Sequence, residues 1–310
     1  MGTIGERVVN TACILALAMV LDATLGEPDW IWRRVPHPAV LMGRLIGWAE
    51  TQLNSGSARR LNGCLLIAAL VLGGWALGNI ISALGWILEL LLVAILLAQR
   101  SLVDHVRAVG DALRISLGDG RRAVARIVSR DTAHMDASAV TRSAIESAAE
   151  NMSDGVIAPA FWFLIGGLPG LLVYKIVNTA DSMIGYRTPR FAAFGWAAAR
   201  LDDVLNWAPA RLTALLIAAT HHGLSGWNVI RSDAKLHRSP NAGWPEAAMA
   251  RALDSAIAGP RAYDGTLRDF PFVNPNGRKV LGPDDIDAAC TALWRSWTGF
   301  LIIVIILSVF

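Results

Sequence analysis

The sequence predicts an all-α fold: a polytopic membrane helical bundle with about four to six membrane segments, one of which can be re-entrant, and cytoplasmic amphipathic helices. Hydrophobic residues make up 54% of the 310 residues and charged residues only 17%, a larger apolar share than soluble domains have. Several apolar runs reach the roughly 20 residues that a membrane-spanning helix needs. Arg residues concentrate in a few loops, as the positive-inside rule predicts for cytoplasmic segments. We therefore expect one integral-membrane domain over residues 1–310, with cytoplasmic polar segments at 99–155 and 221–291.

The first elements are apolar. Val8–Leu21 predicts a first, slightly short span, and the LDATLGEP that follows lacks a convincing small-residue cleavage site, so we expect a retained anchor rather than a cleaved signal. After a polar and aromatic loop at 22–60, Leu61–Ala98 contains a single charge, Glu89, and is too long for one span. This segment predicts two helices joined near Gly78–Gly85.

The polar segment 99–155 predicts helices of a different kind. VDHVRAVGDALRISL (103–117) repeats apolar residues at three- and four-residue spacing, which predicts an amphipathic helix. The following GDGRR (118–122) predicts a turn, because its GxG lacks the rest of a nucleotide fingerprint. A further helix is expected from about Ala139, with Ser138 as its N-cap.

The apolar segment Val156–Val177 is interrupted by GGLPG (166–170). Each half has only about ten residues, so the segment predicts either a kinked span or a re-entrant hairpin whose backbone is buried by other protein. If every apolar segment is a full span, including Val204–Thr220 and the terminal Ala292–Phe310, residues 179–203 lie on the membrane face opposite the other polar segments. A single active site favours the re-entrant hairpin, because GGLPG supplies a turn.

Several function classes find no support in the sequence. The net charge of +3 is not accompanied by interleaved aromatic and basic residues, so no nucleic-acid surface is expected. Cys13, Cys64 and Cys290 lie in or beside apolar runs without a CxxC motif, which predicts buried thiols rather than disulfides or a zinc site. No P-loop, GxSxG or Cys–His pair indicates nucleophilic or phosphate-loop chemistry.

Carboxylates recur beside the apolar segments, where they are costly unless a cation, a partner charge or water compensates them. In ESAAENMSDG, Glu146, Glu150 and Asp154 have i, i+4, i+8 spacing and share one helical face if the helix runs that far, with Asn151 beside them. Three like charges on one face destabilise a bare helix, and Mg²⁺ or a cluster of Arg would relieve them. The alternative is a solvated acidic face paired with a local Arg such as Arg142.

A second motif, NTADSMIGYRTPR, places Asn178, Asp181 and Ser182 at the end of an apolar run. If the segment is helical, these side chains project from one face and offer oxygen ligands. The alternative is a helix C-terminus whose polar residues only cap it or contact water. Arg187 and Arg190 follow, and guanidinium groups suit a phosphate better than Lys does.

A third motif, ARLDDVLNWAPAR, places Asp202 and Asn206 four residues apart, with Asp203 adjacent and with Arg200 and Arg211 at its ends. Adjacent carboxylates with an Asn before an apolar segment indicate a site for Mg²⁺ and diphosphate. The alternative is a set of ordinary interfacial charges. The three motifs follow one another closely in sequence, which favours one shared site.

Two further motifs are weaker. SPNAGWPE (239–246) is a Pro- and Gly-constrained turn that opens a helix, and exposed N–H groups at a helix start favour anions. A plain turn and cap is the alternative. His37, between two prolines in VPHPAV, is a candidate ligand whose alternative is a structural or interfacial role.

The chain resembles the CobD/CbiB family of cobalamin biosynthesis, the adenosylcobinamide-phosphate synthases. The resemblance is carried by motifs that stand in family order: LDATLGEP, HPAVLMG, SLVDHV, SRDT, IESAAENMSDGVIAP, NTADSMIGYR, ARLDDVLNWAPARLTALL and SPNAGWPEAAMA. They cover the chain from residue 21 to about residue 265 and are highly specific when taken together.

The resemblance implies an integral membrane enzyme of the cell (inner) membrane, with its active site facing the cytoplasm. It implies an ATP- and Mg²⁺-dependent ligation that joins adenosylcobyric acid to (R)-1-amino-2-propanol, its O-phosphate or an ethanolamine analogue through an amide. The expected partners are these small molecules, the lipid bilayer and other cobalamin-assembly enzymes as candidates, with no nucleic acid.

Residue roles follow from this chemistry as hypotheses. A carboxylate is a poor electrophile, so amide formation needs activation, for which an acyl phosphate made from ATP is the expected route. Catalytic roles are predicted for Glu150, Asp181 and Asp203, with Glu150 or Asp203 as the base toward the amine. The predicted Mg²⁺ ligands are carboxylates and Asn side chains: Glu150, Asn151, Asp154, Asn178, Asp181, Asp202, Asp203 and Asn206. The predicted phosphate and substrate contacts are Arg187, Arg200, Arg211, Ser239, Asn241 and His37.

Three alternatives remain open at the level of sequence. A non-enzymatic membrane sensor of the AmpE type is thought to share the scaffold, although it need not keep all three carboxylate motifs. A diphosphate-handling membrane transferase would explain Asp202, Asp203 and Asn206 but leaves SPNAGWPE and HPAV unexplained. A transporter with discontinuous helices would explain the broken GGLPG segment.

Overall fold

The structure is a computed structural model that describes residues 4–263 and 266–309. Helices account for 73% of these residues. The α-helices of these residues are α1 (Ile4–Leu25), α2 (Asp29–Trp32), α3 (Pro38–Leu53), α4 (Arg59–Ala83), α5 (Trp86–Leu96), α6 (Gln99–Ile115), α7 (Leu117–Val124), α8 (Ala137–Asn151), α9 (Ala158–Ile184), α10 (Trp196–Leu205), α11 (Trp207–Thr220), α12 (Trp227–Ala234), α13 (Gly243–Ala252) and α14 (Pro283–Val309). A π-helical turn at Met152–Ile157 connects α8 to α9, and a 3₁₀ turn occupies Leu224–Gly226.

Strands are short. β1 (Ile257–Ala258) pairs antiparallel with β4 (Phe272–Val273), so that Ile257 faces Val273 in register. β2 (Arg261–Tyr263) pairs antiparallel with β3 (Thr266–Arg268). These hairpins lie in the polar segment that the sequence places before the terminal span.

Helices of the described residues confirm the predicted all-α membrane class. Four are long and apolar enough to cross a membrane: Arg59–Ala83, Trp86–Ile115, Ala137–Ile184 and Pro283–Val309. Thr11–Leu25 is a shorter apolar helix within α1, where the first span was predicted. The predicted terminal span lies within α14, except for Phe310, which is outside the described residues.

The chain forms two compact units. The first unit contains the residues up to Ala98, Ala158–Asn206 and the residues from Ile303, and the second contains Gln99–Ile157 and Trp207–Ile302. Each is described by itself below.

In the first unit, α4 and α9 pack closely through small residues. A Cβ added to Gly78 would collide with the backbone of Pro169 in α9. At another point of α4, a Cβ at Gly63 would collide with the carbonyl of Phe194, which precedes α10. Helix α4 continues through Gly78 and ends at Ala83. The predicted junction between the two apolar helices lies at Gly85, whose φ of +126° requires glycine. The core beside this contact is aliphatic, with Ile46, Leu70 and Val177 buried.

The interrupted segment is a sharply bent helix pair. Gly167 has φ 61° and ψ −159°, outside the helical region, and Pro169 follows. A Cβ at Gly170 would lie 2.5 Å from the carbonyl oxygen of Trp162. In a straight helix two residues eight positions apart are separated by about 12 Å along the axis. The chain therefore turns back at Gly167, which favours the hairpin over a gently kinked span.

In the second unit, α6 is the predicted amphipathic helix, with Val103, Val106 and Val109 buried along one face. Two local predictions are wrong. GDGRR is not a turn: it lies inside α7, because Ser116 caps the helix by accepting a hydrogen bond from Asp119 N (3.0 Å).

The cap of the next helix is also different from the prediction. Helix α8 begins at Ala137 and is capped by Asp136, whose Oδ1 accepts a hydrogen bond from Ala139 N (2.6 Å). Ser138 is not the cap, because its hydroxyl exchanges hydrogen bonds with the backbone of Leu281 (3.0 and 3.1 Å). An Asp and a Ser two residues apart are both good caps, and the long-range contact selects between them.

Candidate functional site

A carboxylate–amide network connects the second and third motifs within the first unit. Asp202 Oδ1 accepts a hydrogen bond from Asn178 Nδ2 (3.1 Å), and its Oδ2 accepts one from Asn206 Nδ2 (3.0 Å). The hydroxyl of buried Tyr174 donates to Asn206 Oδ1 (3.0 Å). Burial raises the pKa of the Asp202 carboxyl, against the two amide hydrogen bonds. The network joins α9 to α10, and both Asp202 carboxylate oxygens accept hydrogen bonds from side-chain amides.

Asp203, next to this network in sequence, is close to two guanidinium groups. Its carboxylate lies 3.8 Å from Arg200, and burial raises its pKa while Arg200 and Arg187 lower it. Arg187 and Arg200 are both exposed. Asp181 is half-buried, and its carboxylate lies against Gly185, where a Cβ would collide with it.

His37 has a structural place in the first unit. Its Nδ1 accepts a hydrogen bond from Ala39 N (3.2 Å), which caps α3, and its Nε2 lies 3.2 Å from the carbonyl oxygen of Ile95. Both ring nitrogens therefore contact backbone, and the prolines on either side fix the turn.

In the second unit the most buried charge is Glu146, 1% exposed. Its Oε2 accepts hydrogen bonds from Arg130 and Arg261 (both 2.8 Å), and its Oε1 accepts one from Ala258 N (2.9 Å). We call these three side chains the Glu146 clamp. The alternative pairing with Arg142 is not found, because the Arg142 guanidinium donates to the Lys279 carbonyl (3.2 Å) instead. A buried carboxylate with this many donors is fully compensated.

Glu246 is a second buried carboxyl beside the clamp. Burial raises its pKa well above the usual range, and the negative charges of Glu146 and Glu150 raise it further. Its Oε2 has no hydrogen-bond partner among the described side chains and backbone. His237 Nε2 lies 3.7 Å from Glu246 Oε1, beyond hydrogen-bond distance.

His237 is neutral for related reasons. Burial lowers its pKa, and the positive charge of Arg261 lowers it further. Its Nδ1 accepts a hydrogen bond from Ser239 N (3.0 Å), so in the neutral ring the proton is on Nε2. The contact between His237 and Glu246 is therefore not an ion pair.

These groups line a cavity of about 300 Å³, which we call the acidic cavity. Glu150 and Asn151 enter it from the end of α8, and Glu246 and His237 enter it from α13 and the chain before it. The same cavity is lined by Arg238 and Arg261, both of which lie over the ring of Phe270, at 4.5 and 4.7 Å from its centroid. It thus combines oxygen ligands with guanidinium groups.

A larger cavity of about 690 Å³ shares a wall with it. Arg130, Ala258 and Arg261 line both cavities, and Glu146 and Arg142 line the larger one. The Glu146 clamp therefore lies between two neighbouring cavities.

The face of three carboxylates predicted for the first motif does not exist as such. The α-helix ends at Asn151, and Asp154 lies in the π-helical turn, where the residue spacing per turn is larger. Glu146 is buried, whereas Glu150 is exposed at the acidic cavity. In residues 4–263 and 266–309, no group of three or more His, Cys, Asp or Glu side chains is placed to hold a metal ion.

The predicted site residues divide between the units. The first unit contains His37, Asn178, Asp181, Arg187, Arg200, Asp202, Asp203 and Asn206. The second contains Glu150, Asn151, Asp154, Arg211, Ser239 and Asn241. Within the second, Arg211 donates to Asn241 Oδ1 (3.3 Å), and Ser239 Oγ accepts from Asn241 N (3.2 Å).

Sequence reasoning missed Arg130, Glu246, His237 and Arg261. Arg130 is the Arg of SRDT and Glu246 is the last residue of SPNAGWPE, so both stood in motifs that carried the resemblance. Arg261 lies outside these motifs and 115 positions from Glu146 in sequence, so no local pattern linked the two residues.

Comparison with known proteins gives consistent matches. A family model described as CobD/Cbib protein matches residues 15–293. The chain is 49% identical to the cobalamin biosynthesis protein CobD of Sinorhizobium sp, over 93% of this chain and 96% of that protein. It is 49% identical to the protein of that name from Brucella anthropi (93% and 95% covered) and 40% identical to the one from Rhodobacter capsulatus (97% and 98% covered). No solved structure matches.

Proposed function

This chain belongs to the CobD/CbiB family and acts in cobalamin biosynthesis, and from that premise we propose that it is an adenosylcobinamide-phosphate synthase. The reaction joins a propionate carboxylate of adenosylcobyric acid to the amine of (R)-1-amino-2-propanol, its O-phosphate or an ethanolamine analogue, and consumes ATP with Mg²⁺. The observation that carries the proposal is the acidic cavity. It brings Glu150 and Asn151 of one family motif beside Glu246 of another.

The charges of the cavity suit the reactants. The substrates bring a carboxylate and phosphate groups, and guanidinium groups bind both in a bidentate way. Arg130 and Arg261 line both cavities at the Glu146 clamp. Glu146 holds these guanidinium groups in place, which reduces the reorganisation needed when an anion binds.

The residues present fit a magnesium ion that also contacts substrate phosphates. Mg²⁺ usually keeps several waters and takes only one or two protein carboxylates together with substrate phosphates. Glu150 and Asn151, adjacent at the acidic cavity, supply such oxygen atoms. ATP, when bound, supplies the phosphoryl group that activates the carboxylate. The Asp202 network of the first unit, with Asp181 and Asp203, stays a second predicted metal site.

The ammonium group of the amino alcohol must lose a proton before its nitrogen can attack the carbonyl carbon of the acyl phosphate, from which phosphate leaves as the amide forms. His237 is a poor acceptor, because Nδ1 already accepts a hydrogen bond from Ser239 N and Nε2 has the ring proton. Burial raises the pKa of Glu246, which favours its protonated form and makes it a poor acceptor as well. Glu150 is therefore the candidate general base at this cavity, and Asp203 is the other candidate that the sequence predicted.

The test is incubation of the purified protein in detergent with adenosylcobyric acid, aminopropanol or its phosphate, and Mg-ATP. We expect the amide, identified by mass, and no amide when ATP or Mg²⁺ is left out. Glu150→Gln should lower the rate by about 100-fold or more, as loss of a general base does. The exposed variant Arg122→Gln is the matched control and should keep full activity.

Absence of the amide from an otherwise folded protein would refute the proposal. The same incubation separates the alternatives. A sensor or a diphosphate-handling transferase would form no amide. A transporter would move the corrinoid across a vesicle membrane without changing its mass.

A further inference from the structure

The second unit contains a cavity of about 570 Å³ that the proposal above does not use. It lies among α11, α12 and α13. Its wall is aromatic and cationic: Trp207, Arg211, Trp227, Arg231, Lys235 and Trp244. Among the described residues, no Asp or Glu lines it. We call it the tryptophan pocket.

Arg211 is held rigidly in this pocket. Its guanidinium lies 4.5 Å from the centroid of the Trp207 ring and 4.7 Å from that of Trp244. It also donates to the Trp207 carbonyl (2.6 Å) and to Asn241 Oδ1 (3.3 Å). A guanidinium fixed in this way loses little side-chain entropy when an anion binds, so the pocket is pre-organised.

The other two cations stand on one helical face with an aromatic ring. Trp227 and Arg231 are four residues apart in α12, and Lys235 follows the end of that helix. The Trp227 ring lies 5.6 Å from that of Trp244, tilted by 38°. Because Arg211 lies over the rings of Trp207 and Trp244, the pocket offers the Trp227 indole beside three positive charges.

We propose that the tryptophan pocket binds a nucleoside triphosphate, with the base on the Trp227 indole and the phosphates at the cations. Bases stack on aromatic side chains, and clustered Arg and Lys suit polyphosphate. The proposal rests on the ATP-dependent function proposed above and assigns its nucleotide to a place in the fold.

The position of the pocket supports this assignment. His237 lines both the tryptophan pocket and the acidic cavity, so the two adjoin at this side chain. Ser239, which fixes the ring of His237 through its backbone N–H, lines the tryptophan pocket as well. A ligand in one cavity therefore lies next to a ligand in the other, as transfer between two bound reactants requires.

Trp beside Arg and Lys is also typical of the membrane interface, where the anion would be a lipid headgroup. A recessed pocket among three helices that adjoins a polar cavity favours a soluble nucleotide. Lipid binding is therefore an outcome of the test.

The test measures equilibrium binding of β,γ-imido-ATP and of inorganic tripolyphosphate to the purified protein in detergent. Trp227→Leu should weaken nucleotide binding by about tenfold, the loss expected for one base–aromatic stack, and leave tripolyphosphate binding unchanged. The double variant Arg231→Gln/Lys235→Gln changes two exposed side chains and should weaken both ligands by about tenfold. Trp48→Leu, at an exposed tryptophan of the first unit, is the control and should change neither.

The pocket assignment fails if the wild-type protein does not bind the nucleotide, or if both pocket variants bind it within about twofold of wild type. If the pocket variants lose binding to vesicles containing phosphatidylglycerol while their nucleotide binding is intact, the pocket is a lipid site and the nucleotide assignment is overturned. Amide synthesis with unchanged nucleotide affinity in the pocket variants refutes only this inference. Nucleotide binding through the pocket without amide synthesis refutes only the proposed ligase.

Discussion

Glu246 shows at the scale of one residue how burial decides protonation. The carboxyl is enclosed in α13, and its protonated state is favoured by burial and by the negative charges of Glu146 and Glu150. The folded-state pKa is therefore above that of the unfolded chain. Below the pKa of the unfolded chain both states are protonated, and the group does not change the free energy of unfolding. As pH rises from there toward the folded-state pKa, only the unfolded state loses the proton, and the free energy of unfolding falls.

Replacing this carboxyl by an amide should remove that pH dependence. We expect the thermal midpoint of Glu246→Gln to equal that of wild type near pH 5 and to exceed it increasingly toward pH 8, measured in detergent. Glu27→Gln, at an exposed position, should show no such trend. A constant offset at both pH values would mean that Glu246 is ionised in the folded protein.

Glu146 illustrates a buried ion pair, because its side chain contacts two guanidinium groups. Glu146→Gln removes the carboxylate that Arg130 and Arg261 both contact, which should lower the free energy of unfolding by about 3–5 kcal/mol. Removing an exposed pair by Arg122→Gln should change it by about 1 kcal/mol or less. Denaturant unfolding of both variants in detergent compares them, and equal effects would contradict the clamp.

At the scale of elements, glycines determine how closely α4 and α9 approach. Gly78 and Gly73 are both in α4, but only Gly78 faces the backbone of Pro169, whereas nothing lies within 4 Å of a Cβ at Gly73. The two positions therefore separate helix packing from helix propensity.

Opposite outcomes are expected for the two alanine variants. Gly78→Ala should destabilise the protein by about 1–3 kcal/mol, because the added methyl group overpacks the contact with Pro169. Gly73→Ala should be neutral or stabilising by up to about 1 kcal/mol through helix propensity. Thermal midpoints in detergent measure both, and a tolerated Gly78→Ala would show that α4 and α9 are further apart than described.

At the scale of the whole molecule, apolar stretches alternate along the sequence with polar segments that contain much of the positive charge. The positive-inside rule then predicts that segments 99–155 and 221–291 both face the cytoplasm. The second unit contains both segments and all three cavities described above.

Thiol labelling tests this orientation. Ser129→Cys and Ser232→Cys, both at exposed positions, are introduced into a chain whose native cysteines are replaced by Ala. A membrane-impermeant maleimide should label both in inverted vesicles and neither in intact spheroplasts, with permeabilised cells giving the total. Labelling of either position from outside would place the cavities on the wrong side for cytoplasmic ATP.

The sequence by itself determined the membrane class, the amphipathic α6 and the junction of α4 and α5, because apolar length and local periodicity decide them. It also contained the motifs that identify the family. The tertiary structure decided what local pattern cannot, since hydrogen-bond partners distant in sequence depend on the path of the chain. It replaced Ser138 by Asp136 as a cap, paired Glu146 with Arg130 and Arg261 instead of Arg142, and assembled the tryptophan pocket from three helices. A sequence motif indicates which functional groups are available. Only tertiary packing determines which charged groups contact each other and which can contact a ligand.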